Sequence, residues 1–159
     1  MTQVKKSRMK PRLGQLMTQK GGMYVAEALK RADATMETLR EPSLSGIDDY
    51  ITSLDALLAS ELDDTTLIET LYARAGDIVS LSGAERNEAV QIAARSLCDL
   101  LDEAVGLTPS VLAGIKVYIA SIKLLHRAPD NPTLQEPILK GLASVLEKQR
   151  SENRAQSAD

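Results

Sequence analysis

Between Thr108 and Arg127 a line of five apolar residues falls at Val111, Ile115, Tyr118, Ile122 and Leu125, at steps of four and three. That spacing puts them on one face of an α-helix and nowhere useful on a strand. Thr108-Pro109 opens the segment with a capping hydroxyl followed by a proline suited to the first helical position. Pro129, Asn131 and Pro132 close it. Most of the chain repeats the pattern. Aromatic residues make up only 3% of it, with no Phe and no Trp, so any core must be built from Leu, Ile, Val, Ala and Met. Those residues, with abundant Glu, Lys and Arg, favour helix; the β-branched and aromatic runs of a sheet are missing.

The spacing predicts six helices. The first, over 23–40, carries Val25, Leu29, Ala32, Met36 and Leu39 and is expected to stop at Glu41-Pro42-Ser43, because a residue before proline is pushed out of the α region. The second, over 45–62, carries Ile47, Ile51, Leu54, Leu58 and Leu62, with Asp48 and Asp49 in its first turn. The third, over 66–81, carries Leu67, Leu71, Ala75 and Ile78; Asp64 or Thr65 is its expected cap, Gly76 lies mid-helix, and Ser82-Gly83 is its expected break. The fourth, over 84–105, turns Val90, Ala93, Leu97, Leu101 and Ala104 inward and ends at Gly106. The fifth is the segment after Thr108. The sixth, over 136–150, begins with Pro137 in its first turn and carries Ile138, Leu142, Val145 and Gln149. Amphipathic helices with short connections imply an all-α, antiparallel helical bundle with a four-helix-type core. At 159 residues it is expected to form one domain over 23–150, between a flexible basic arm at 1–22 and a disordered polar tail at 151–159.

Residues 1–22 hold Lys5, Lys6, Arg8, Lys10, Arg12 and Lys20 and no acidic residue, although the whole chain has a net charge of −3. The arm reads as a solvated tail; the sharper alternative is a tether for nucleic acid, acidic lipid or an acidic protein. Nucleic acid is the weaker choice, because no aromatic precedes Tyr24 to stack on a base. The single cysteine fits a reducing compartment. No apolar run reaches spanning length and no apolar stretch follows the basic start, so the expectation is a cytoplasmic protein without a membrane span.

The residue types needed for chemistry are sparse. One His and one Cys, with no Glu-x-x-His pair, give no metal site and no cofactor site. No Gly-rich loop with a following Lys-Ser/Thr cradles phosphate. Cys98 beside the inward line of the fourth helix reads as a packed, inert thiol, and His126 in the last turn of the fifth as a structural or surface cation near the helix C-terminus. The carboxylate pairs Asp48/Asp49, Asp63/Asp64 and Asp102/Glu103 read as solvated charge. No catalytic residues are expected.

One stretch says more. LYARAGDIVSLSG, the helix AVQIAARSLCDLLDEA after it, and later VLAGIKVYIASIKLL, together with ALKRADATMETLR and the closing ILKGLASVLE, resemble the histidine-phosphotransfer-like helical proteins of alphaproteobacteria over about residues 27–147. The resemblance implies a phosphotransfer-type bundle whose third helix would read roughly Ala-His-Asp-Ile-Lys-Gly. Here Gly76 stands where the phospho-accepting histidine would be, Asp77 and Ile78 match, Val79 replaces the lysine and Ser80 the glycine. Phosphotransfer needs an exposed nucleophilic imidazole and a cation beside the phosphoryl oxygens. Gly76 and Val79 supply neither, so the site is not expected to accept phosphate.

What persists is a face. Glu69, Ala73, Gly76, Ser80 and Gly83 fall at helical spacing, four of the five are small, and Val79 flanks them. Either another helix of the bundle fills this groove, or a separate protein does. By the resemblance that protein would be a response-regulator receiver domain or a sensor kinase, or a second copy in a homodimer. The expected function is therefore a non-catalytic, phosphotransfer-like adaptor. Its alternatives are an active phosphotransfer protein using His126, a structural homodimer, and a nucleic-acid-associated protein using the basic arm.

Overall fold

The computed structural model describes residues 24–85 and 87–156, and the basic arm and the last three residues lie outside them. The described residues form five α-helices and no strand: α1 (Val25–Leu58), α2 (Asp64–Glu85), α3 (Glu88–Asp102), α4 (Pro109–Arg127) and α5 (Pro132–Gln156). The chain divides into two compact units, Met1–Glu37 and Thr38–Asp159. What is described of the first is Tyr24 and the opening turns of α1, whose Tyr24, Val25 and Leu29 are all exposed.

The second unit is the bundle. Its helices double back on one another, as paired contacts show. Along α2 and α3, Gln91 meets Val79, Cys98 meets Tyr72, and beyond α3 Leu107 meets Asp64. Along α4 and α5, Ser110 meets Glu152 and Tyr118 meets Leu142. Along α1 and α4, Asp48 meets His126 and Asp55 meets Lys123. In each series one number rises as the other falls, which is antiparallel packing. α3 is central: it packs against α2, α4 and α5, and Ala89, Val90, Ala93, Ala94, Leu97, Leu100 and Leu101 are buried along it. The α4 stripe expected from the sequence is buried throughout, Val111 at 1% exposed and the other four at 0%. Leu67, Leu71, Ala75 and Ile78 of α2 are buried as well, as are Ile47, Ile51 and Leu54 of α1, whereas Leu58 is half-buried and Leu62 exposed.

Tyr118 ties three helices together through this aliphatic core. Its hydroxyl donates to the Leu142 carbonyl of α5 at 2.8 Å and lies 2.7 Å from Ser96 Oγ of α3. Burial pushes its phenol above the usual range. At the far end of α3, Arg150 of α5 grips Glu103 with two nitrogens, at 2.9 and 2.7 Å, and Asn153 donates to the Glu103 carbonyl.

Several helix boundaries differ from the sequence expectation. The first two expected helices are one: α1 runs through Pro42, with Ser43 buried immediately after it. Proline removes one ladder bond and disfavours the α region before it, but it does not forbid a helix whose following turns are anchored by buried Ile47 and Ile51. Asp48 and Asp49 are consequently mid-helix and not in a first turn. The cap of α2 is Asp63, whose Oδ1 accepts from Thr66 N at 3.1 Å, one residue before the candidates Asp64 and Thr65. α2 also passes Ser82-Gly83, and the break falls after it, where Asn87 accepts from Val90 N and starts α3. α5 begins at Pro132, leaves Pro137 inside, and continues to Gln156. Thr108 caps α4 as expected, accepting from Val111 N with Pro109 at the first position.

Candidate functional site: the outward face of α2

α2 buries one face and leaves the other open. Leu67, Leu71, Ala75, Ile78 and Ser82 turn into the bundle. Ser82 Oγ, buried there, donates to the Ile78 carbonyl at 2.7 Å, which keeps its hydroxyl satisfied and the helix running. Gly46 lets α1 come close: a Cβ there would sit 2.7 Å from Leu81 Cδ1. Beside that contact the Arg74 guanidinium lies 5.5 Å from the centre of the Tyr50 ring of α1 and pairs with Asp77 at 3.0 Å.

The opposite face carries the residues singled out from the sequence. Glu69, Ala73, Ser80 and Gly83 are exposed, and Gly76 and Val79 are half-buried. A Cβ at Gly76 would meet nothing within 4 Å. Among the described residues no helix fills this stripe. Gln91 of α3 lies over its far end, where it donates to the Val79 carbonyl at 3.4 Å and would lie 3.5 Å from a Cβ at Gly83. Ser80 Oγ donates back to the Gly76 carbonyl at 3.0 Å, so its hydroxyl is held along the helix.

Toward the start of α2 this face opens into a groove of about 450 Å³ against the end of α3, lined by Thr65, Ile68, Glu69, Tyr72, Leu101, Asp102, Ala104 and Val105. Its lining is mixed, with apolar surface from Tyr72, 47% exposed, and Val105, 92% exposed. Glu69 and Asp102 add acidic groups to the same lining. Of this half of the face the sequence pointed to Glu69 alone. Tyr72 lies three residues after Glu69 and four before Gly76, on the same stripe, and the spacing alone would have found it; the search for small residues passed over it. Val105 had no such signal, because it follows α3 and reaches the groove only through the fold.

The titratable groups nearby do not form a reactive constellation. Cys98 is half-buried, with Sγ 4.0 Å from the Tyr72 carbonyl; burial, and secondarily Asp99, raise its pKa, so the thiol stays protonated. His126 is elsewhere, on α4, with its side chain only 7% exposed and Nε2 3.4 Å from Asp48 Oδ1. Among the described residues no group of three or more His, Cys, Asp or Glu could hold a metal ion. No described helix is long and apolar enough to cross a membrane.

No protein-family model, curated protein or solved structure matches the chain.

Proposed function

We propose that the outward face of α2 is a docking surface and that the protein is a non-catalytic adaptor. In this reading it binds a two-component partner, a receiver domain or a sensor kinase, and carries no phosphate. The observation that carries it is the open space over Gly76, at the middle of a helical face that runs from the Tyr72 groove to Ser80. A backbone without a side chain admits close approach, and the exposed Tyr72 and Val105 supply apolar area of the kind that anchors an interface. The resemblance described from the sequence supplies the partner class. Absence of phosphotransfer rests on chemistry: position 76 has no imidazole and position 79 no cation.

The reading in which His126 takes over phosphotransfer meets a geometric objection. Its imidazole is packed against α1 beside Asp48, whereas a phospho-accepting ring must reach an incoming phosphoryl group. The test is incubation of the full chain with autophosphorylated, radiolabelled kinases, followed by binding to the same kinases and their receiver domains. The expected result is binding without label on the chain. Label that is lost in His126→Ala would overturn the non-catalytic reading.

A further inference from the structure

The start of α3 holds a polar side chain that the fold leaves half satisfied. Asn87 is only 5% exposed, and its side chain accepts from Val90 N at 3.2 Å. The atom facing an N–H must be the amide oxygen, so the nitrogen, Nδ2, is the end turned away from α3. Nδ2 is buried and reaches no acceptor among the described residues. Buried donors in native proteins are paired as a rule, and an exception calls for a physical account. Asn87 also lines a cleft of about 270 Å³ between Arg40 of α1, the start of α3, and the turn from α4 into α5. All of its lining residues belong to the second unit.

We propose that this cleft binds a free α-amino acid as its zwitterion. Part of the lining suits a carboxylate: the Asn87 amide nitrogen, the Arg40 guanidinium, and the first turn of α3, where the helix dipole and outward N–H groups favour an anion. The rest suits an ammonium. Glu88 and Asp130 bring carboxylates to the same cleft. Gln135, whose side-chain nitrogen donates to the Pro129 carbonyl, adds an amide oxygen. A simple anion would meet two carboxylates. A simple cation would meet Arg40 and the positive end of α3, and would bring no acceptor to Nδ2. A small molecule with both charges on neighbouring atoms answers both halves of the lining. A peptide holds its ammonium and carboxylate at opposite ends, so a free amino acid fits where a chain terminus does not. The size agrees, because clefts for drug-sized ligands run from about 300 to 1,000 Å³, and this one lies just below that range. The cleft shares no residue with the α2 face or its groove, so the proposal is independent of the adaptor reading.

The test is calorimetric titration of the full chain with each common L-amino acid in turn, followed by the N-acetyl and methyl-ester derivatives of any that binds. The expected result is saturable binding of at least one free amino acid. Either derivative should weaken it by at least about tenfold, since acetylation removes the ammonium and esterification the carboxylate charge. Asn87→Asp keeps the oxygen that caps Val90 N but sets a second oxygen in place of Nδ2. It should match wild type in circular dichroism and thermal unfolding, yet lose at least about tenfold in affinity. Arg40→Gln alters an exposed side chain and should lose affinity likewise, so it carries the test alone if Asn87→Asp does not fold. Failure of every amino acid to bind overturns the proposal. So does a derivative that binds as tightly as its parent, and so does binding that the folded variants leave unchanged.

Discussion

At the scale of single residues, two positions carry most of the account. Tyr118 is fully buried, yet its hydroxyl joins α4 to both α3 and α5. Replacing it with Phe keeps the ring's packing and removes the donor, leaving Ser96 without its partner in a half-buried place. Tyr118→Phe should cost about 1–2 kcal/mol, the usual penalty for breaking a buried hydrogen bond, measured by urea unfolding. Gly76 is the other position. A Cβ there enters open space, whereas a Cβ at Gly46 would meet Leu81 Cδ1 at 2.7 Å. Gly76→Ala should therefore stabilise the fold by about 0.5–1 kcal/mol through helix propensity alone. Gly46→Ala has the same propensity gain but must displace Leu81, and it should show a smaller gain or a loss. Equal gains at both positions would mean that α1 and α2 do not approach as described.

At the scale of elements, the stripes were legible in the sequence and the boundaries were not. The buried lines of α2 and α4 follow from spacing because burial is what the spacing encodes. Ends are decided by competition between local signals. Gly83 lost to Asn87 as the stop between α2 and α3, because Asn87 supplies an acceptor to Val90 N and Gly83 offers none. Pro42 lost to the buried residues that follow it. The candidate site was legible in part for a related reason: residues on one helix share a face by arithmetic, but the groove walls from α3 depend on packing. The cap of α2 also gives a pH prediction. Thr66, through its side chain and its backbone N–H, holds the Asp63 carboxyl below its ordinary value of 3.8. A folded-state pKa lower than the unfolded one contributes stability above the unfolded value, and that contribution is lost as pH falls through the folded one. Wild type should therefore lose stability relative to Asp63→Asn as pH drops below 3.8, while the difference stays constant at neutral pH. Thermal unfolding of both proteins over that range reads it; parallel curves throughout would remove the cap from the account.

At the scale of the whole molecule, the described residues of the second unit form an aliphatic bundle that leaves the outward face of α2, with its groove, open. That open face is what motivates the proposed adaptor reading. In that reading a partner sits directly on position 76. The most direct measurement is calorimetric titration of the full chain, and of Gly76→Arg, against purified receiver domains and sensor kinases from the same cell. Gly76→Arg is expected to unfold at the wild-type temperature or slightly above it, because its Cβ enters open space and arginine favours helix over glycine, and to lose at least about tenfold in affinity for the partner wild type binds. A folded Gly76→Arg that binds this partner as tightly as wild type would contradict it.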